Sequence, residues 1–184
     1  MKKNVFLLLL SSIILFSCSD DDPAPVNEEE VITTLTVVLT ATGQNDVTLQ
    51  SVDLDGDGPN APVITVTGGS LAANTTYTGS ITLLNETETP VEDITEEIEE
   101  EDEEHQFFFE VTGSLTGTTY NDQDSNGNPI GLSFNLTTGA TGPGTILITL
   151  RHELNKTATG VPGGDITNAG GDTDIAQSFD VSVQ

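Results

Sequence analysis

The chain contains only two histidines, His105 and His152, and both stand among carboxylates. Glu101 and Glu104 precede the first histidine, and Glu153 directly follows the second. Imidazole nitrogens together with carboxylate oxygens are ligands that zinc and other first-row transition metals accept. These residue types predict a transition-metal site formed by the five residues. The alternative interpretation is a pair of histidines at strand ends that hydrogen-bond to acids and close the core.

Two loops carry oxygen-bearing side chains at every second position: Asp53, Asp55 and Asp57 in the first, and Asp122, Asp124 and Asn126 in the second. Glycine follows each set, as in the first half of a calcium loop, where alternate oxygens converge on a hard cation. The twelfth position holds Ile64 in one loop and Ser133 in the other, where a complete calcium loop has a bidentate glutamate. The pattern predicts weak calcium binding, and the alternative is that hairpin turns require these residue types anyway.

The two histidines continue the apolar faces of predicted strands. His105 has the parity of Phe107 and Phe109, and His152 has the parity of Ile148 and Leu150. Side chains at every second position of a strand lie on one face. We therefore expect both imidazoles at the same rim of the core, provided that the two strands are antiparallel neighbours.

Short segments of alternating apolar and polar residues fill most of the chain after residue 30. They predict strands at 31–42, 47–52, 63–67, 75–85, 106–112, 118–121, 130–137, 145–153 and 175–183. Gly, Asn and Asp separate the segments, and β-branched residues are abundant within them. The pattern predicts an all-β fold, a single antiparallel β-sandwich of immunoglobulin-like type.

Residues 86–104 break the alternation and are mostly acidic. Ile94 and Ile98 are four residues apart, and Pro90 stands where a helix could begin, so we predict a short helix inserted in the sandwich. Its charge is interpreted either as a solvated face or as a cation-collecting arm beside the histidines. The glycine-rich segment 155–173 is long for a loop, and Asp165, Asn168 and Asp172 are candidate ligands within it.

The N-terminal segment has the features of a signal peptide. Lys2 and Lys3 precede an apolar run at 5–16, which is too short to span a membrane. Leu15-Phe16-Ser17-Cys18 then resembles the lipobox of bacterial lipoproteins. The resemblance implies cleavage after residue 17 and lipidation of Cys18, the only cysteine, which leaves no thiol for a disulfide or a metal site.

Ser19-Asp20-Asp21-Asp22 resembles the acidic export signal of surface lipoproteins in Bacteroidota-type Gram-negative bacteria. With the Asp53 loop, the acidic run ending at His105 and the segment 151–156, the chain resembles a family of small Bacteroidota lipoproteins of unassigned function. The resemblance implies an outer-membrane protein, lipid-anchored and exposed at the cell surface. A periplasm-facing protein with a solvated acidic linker is the alternative. The expected organisation is a signal peptide at 1–17, a lipidated acidic tether at 18–30 and one β-sandwich domain at 31–184.

Composition and missing motifs exclude several classes of function. Thirty acidic residues stand against four basic ones, giving a net charge of −26, which repels nucleic acid and attracts cations or basic partners. No nucleophile elbow, metalloprotease helix or phosphate loop occurs, so we expect no enzyme. The leading hypothesis is a lipid-anchored surface module that captures a metal ion or metal complex for an outer-membrane transporter, with zinc or calcium as the candidate ion. The alternative is a structural or adhesive surface protein whose loops calcium stabilises.

Overall fold

The computed structural model describes residues 30–56 and 58–184. The predicted signal peptide, Cys18, the tether up to residue 29 and the candidate ligand Asp57 lie outside the described residues. In the described part of the chain no helix is both long enough and apolar enough to cross a membrane.

The described residues form ten strands: β1 Thr34–Thr40, β2 Val47–Val52, β3 Val63–Thr67, β4 Thr76–Asn85, β5 Glu92–Asp93, β6 His105–Gly113, β7 Leu115–Tyr120, β8 Ser133–Thr138, β9 Gly142–His152 and β10 Asp172–Val183. The larger sheet has the order β3-β2-β1-β4-β8-β7, with β5 paired to β4. The smaller sheet has the order β10-β9-β6. All ladders between these strands are antiparallel, and the predicted sandwich is confirmed.

The core lies between the two sheets and is built from the alternating apolar positions. Inward-facing residues of both sheets are almost completely buried, among them Leu35, Leu83, Phe107 and Ile148. Burying one such side chain contributes about 1.5–3 kcal/mol. Gly79 is required in this core, because a Cβ atom at that position would lie 2.5 Å from the ring of Phe134 on the neighbouring strand.

The predicted helix is present as α1, Ile94–Glu100, and it begins four residues after Pro90. The Asp93 carboxylate caps it by accepting a hydrogen bond from the Thr95 amide, which satisfies one of the free N–H groups of the first turn. Ile94 and Ile98 are buried, whereas the glutamates face solvent. The Thr95 hydroxyl also bonds to the backbone of Leu83, so the helix is fixed to β4 despite its charge.

The segment between β9 and β10 folds back over the outer face of the smaller sheet. It contains two short 3-10 helices, Val161–Gly163 and Ile166–Asn168. A second apolar cluster forms beneath it from Phe108, Leu154, Val161 and Ala169. Asp165 caps the second 3-10 helix and Asn168 donates to the Thr159 carbonyl, so two of the candidate ligands in this segment organise the loop itself.

Candidate metal centre

The two histidines lie side by side at one end of the sandwich. They are directly opposite each other in the ladder between β6 and β9, as the strand parity predicted. Their rings stack with centroids 4.3 Å apart and an interplanar angle of 18°. His105 is 0% exposed and His152 is 5% exposed, so the imidazoles form the last layer of the core rather than a surface patch.

Glu30 closes this end of the core from the side of the larger sheet. It lies four residues before Thr34, where β1 of that sheet begins. One of its carboxylate oxygens lies 2.9 Å from Nε2 of His105, and the other lies 3.6 Å from Nδ1 of His152. Its side chain is only 6% exposed. The last residue of the predicted tether is therefore part of the site, where it joins the two imidazoles through one carboxylate.

A second buried carboxylate reaches the site through a β-bulge in β10. Thr173 pairs with Arg151 and Ile175 pairs with Leu150, so Asp174 is the extra residue between two consecutive ladder positions. A bulge turns the side chain of the extra residue away from its regular face. Glu30, His105, His152 and Asp174 each offer one ligand atom, and these four atoms lie within 4.8 Å of one another.

The backbone fixes which nitrogen of His105 faces the cluster. Nδ1 lies 3.1 Å from the carbonyl oxygen of Glu101, which can only accept, so Nδ1 carries a proton and Nε2 faces Glu30. Burial opposes the charged ring, but the hydrogen bonds to Glu30 and to the Glu101 carbonyl outweigh it and raise the pKa of His105. Burial likewise opposes the charge on Glu30, but the hydrogen bond from His105 outweighs it and lowers the pKa of that carboxyl.

The remaining predicted transition-metal ligands lie outside the buried cluster. Glu101 contributes its carbonyl rather than its carboxylate. Glu104 and Glu153 are exposed and form a separate group with His152, whose Nε2 lies 3.7 Å from a Glu104 oxygen. His152 therefore stands between a buried set and an exposed set of carboxylates, with Nδ1 toward Glu30 and Nε2 toward Glu104.

The carboxylates of the second predicted calcium loop are engaged by the protein itself. Asp122 accepts hydrogen bonds from the amides of Gly131 and Ser133 at 2.7 and 2.6 Å. Asp124 accepts from the backbone amide of Asn126 at 2.9 Å and forms an ion pair with Lys156 at 2.9 Å. These contacts are those of turn-forming residues.

In the first predicted calcium loop, Asp55 accepts a hydrogen bond from the side-chain amide of Asn60 at 2.7 Å. Asp53 keeps one buried oxygen that has no hydrogen-bond partner among the described residues. Neither loop belongs to the clusters of three or more acids and histidines found in the described part of the chain. Calcium binding stays a prediction.

Sequence reasoning missed Glu30 and Asp174, which complete the buried cluster. Glu30 belongs to a run of three glutamates that predicted a solvated tether, and nothing in its neighbourhood distinguishes it. Asp174 has the parity of the outward face of β10, and only the bulge turns it toward the histidines. A single-residue bulge leaves no signal in the alternation of a strand end.

Comparison with known proteins found no relative. No protein-family model matches the chain, and no match was found to a curated protein or to a solved structure.

Proposed function

We propose that this domain is a binding module for a divalent first-row transition metal ion, with zinc as the best fit. The observation that carries the proposal is the convergence of two imidazoles and two carboxylates, with one ligand atom from each within 4.8 Å of the others at the buried end of the sandwich. The ligands are Glu30, His105, His152 and Asp174.

The type and number of donors favour zinc. Zinc sites in proteins are usually tetrahedral, with imidazole nitrogens at about 2.0–2.1 Å and carboxylate oxygens at about 2.0–2.2 Å. Two of each supply four donors, and small side-chain movements would bring them around one ion. The hydrogen bond from Nδ1 of His105 to the Glu101 carbonyl is the outer contact that metal-ligating histidines usually make.

A bound cation would also compensate the charge that is buried at this end. Two carboxylates lie against two stacked imidazoles, and buried charge is costly unless it is well paired. Protonation of both stacked imidazoles would place two positively charged rings 4.3 Å apart, where they would repel each other. A divalent ion supplies two positive charges between the ligands, and it displaces the proton from Nε2 of His105 when it binds.

The wider role that we propose is the capture of this ion at the cell surface by a lipid-anchored protein that serves an outer-membrane transporter. Support comes from the lipobox-like residues ending at Cys18, from the acidic residues after it and from the net charge of −26. An acidic surface raises the local concentration of cations and steers them toward a site.

Metal content is the decisive measurement. The full chain, purified without chelators or a metal-binding tag, should contain about one zinc ion per chain by elemental analysis. After chelator treatment, calorimetric titration with zinc should restore that stoichiometry. The His105→Ala/His152→Ala double variant should lose it, whereas Glu99→Ala/Glu100→Ala, which removes two exposed carboxylates from α1, should retain it.

A double-histidine variant that binds zinc as tightly as the wild type would refute the site. Melting that depends on calcium, without any affinity for zinc, would favour the structural or adhesive alternative. Protease treatment of intact cells tests the surface location separately, since a protein that is cleaved only after the outer membrane is broken would contradict it.

A further inference from the structure

The outermost strand of the larger sheet, β3, is exposed along its whole length. It pairs with β2 on one side only, and no strand in the described part of the chain pairs with its other side. Val63, Ile64 and Val66 are 63%, 39% and 38% exposed. An uncovered edge with apolar β-branched residues is a template for pairing with a further strand.

The unequal widths of the two sheets explain this exposure. Ile64 lies opposite Ser51 in the ladder and Val66 lies opposite Leu49, so all four side chains are on the same face of the larger sheet. Ser51 and Leu49 are buried, at 3% and 0% exposure. The smaller sheet has only three strands and ends at β10, which contacts β3 without covering it, so the face that is core at β2 is only partly covered at β3.

The charge distribution allows a second copy of this chain as the partner. The chain carries a net charge of −26, yet no charged residue occurs between Gly58 and Asn85, and β1 and β2 also carry none. Two copies of so acidic a chain repel each other when charged surfaces approach. The repulsion is weakest where the uncharged edges of the two copies meet. β3 also contains none of the lysines, prolines or bulges by which proteins protect exposed edges.

We propose that β3 pairs with β3 of a second copy of this chain, antiparallel about a two-fold axis, to form one continuous sheet. In this arrangement Thr65, the middle residue of β3, lies next to the axis. Ile64 and Val66 of both copies meet on the face that the smaller sheet covers only in part. Such self-complementary pairing is the usual form of a two-fold interface.

The expected dimer is weak and depends on concentration. A strand of five residues is short beside the roughly 20–30 residues a side of a stable interface. The interface uses none of the proposed metal ligands, so self-association and zinc binding can fail independently.

Cross-linking would detect the pairing directly. Single cysteines are placed in turn at each position of β3, in the full chain carrying Cys18→Ser and kept in mild detergent. Residues directly opposite in an antiparallel pair have Cα atoms about 4.5–5.5 Å apart, within the range of a disulfide. Mild oxidation should therefore give a disulfide-linked dimer whose yield peaks near Thr65. Thr82→Cys, exposed on the same sheet but on β4, should cross-link little.

Added charge tests the same edge without oxidation. The wild-type mass measured by sedimentation should rise toward twice the chain mass as concentration increases. Thr65→Lys places two like charges together at the axis and should hold the mass at one chain, whereas Thr82→Lys should behave as the wild type. Circular dichroism shows whether each variant is folded.

A wild-type chain that stays monomeric at every concentration would overturn the proposal. So would a dimer that persists in Thr65→Lys, or a cross-linking yield along β3 no higher than that of Thr82→Cys.

Discussion

Nζ of Lys156 lies 2.9 Å from a carboxylate oxygen of Asp124, and the two side chains are 3% and 1% exposed. The same ammonium group donates a hydrogen bond to the carbonyl of Asp102 at 2.6 Å. The one lysine among the described residues therefore joins three segments: the loop that follows β9, the loop that follows β7, and the acidic chain that leads into β6.

Replacement of this lysine should destabilise the domain strongly. Lys156→Met leaves the Asp124 carboxylate buried without its counter-ion, and breaking a buried pair in this way costs about 3–5 kcal/mol. Urea unfolding of the wild type and the variant measures the change. The Lys156→Met/Asp124→Asn double variant is the control and should recover part of the loss. A loss below about 1 kcal/mol would instead mark the contact as equivalent to a surface ion pair.

The same pair should make stability depend on pH in the acid range. Burial tends to raise the pKa of Asp124, but the hydrogen bonds from Lys156 and from the Asn128 amide outweigh it and lower that pKa. The pKa of an aspartate in the unfolded chain is about 3.9. The Asp124 carboxylate thus contributes stability that is present above this pH and is lost as pH falls through the lower folded-state pKa.

The measurement is the difference in unfolding free energy between the wild type and Asp124→Asn, followed from about pH 6 to pH 2. The difference should shrink as the solution becomes more acidic. Taking the difference removes the titration of the other carboxylates, which both proteins share. A difference that stays constant over this range would show that Asp124 has no lowered pKa.

Zinc affinity should distinguish the buried ligands from the exposed acids beside them. Glu30→Gln keeps the size of the side chain but removes its charge, and it should weaken zinc binding by more than the roughly 10–100-fold typical of outer-shell changes. Glu104→Gln removes an exposed carboxylate near His152 and should leave the affinity nearly unchanged. Calorimetric titration compares the two variants. A larger loss in Glu104→Gln than in Glu30→Gln would place the ion in the exposed group instead of the buried one.

Helix α1 should depend on its two isoleucines rather than on its charged face. Ile98 is fully buried against the core, and Ile98→Ala should cost about 2–5 kcal/mol, because it removes apolar contacts and leaves a cavity. Glu99→Ala on the exposed face should change the unfolding free energy by less than about 0.5 kcal/mol. Thermal or urea unfolding measures the change in unfolding free energy of both variants. An Ile98→Ala effect as small as that of Glu99→Ala would mean that the helix does not stabilise the core.

The strand pattern was predictable because it follows from local alternation. The predicted strands at 47–52 and 63–67 have the bounds of β2 and β3, and the parity of His105 and His152 placed both rings at one rim. The helix was also predictable, because Ile94 and Ile98 are four residues apart and therefore lie on one face of a helix. In these cases the information lies within a few consecutive residues.

The rest of the site depends on contacts between residues far apart in the chain. Glu30 and His105 are 75 positions apart, and Lys156 and Asp102 are 54 positions apart. In so acidic a chain every carboxylate is a candidate, so residue type cannot select the one that meets a histidine. Sheet order and loop packing make that selection, and neither is encoded in local periodicity.

The bulge at Asp174 makes the fourth donor of the rim depend on a single residue. Without that one extra residue, β10 would pair with β9 in an unbroken register, and the only carboxylate of the strand at this end would be Asp172, which lies opposite His152 in the ladder but is exposed. Insertion of a single codon would thus suffice to add a fourth donor to an existing sandwich, and its deletion would remove the donor while every other strand kept its place.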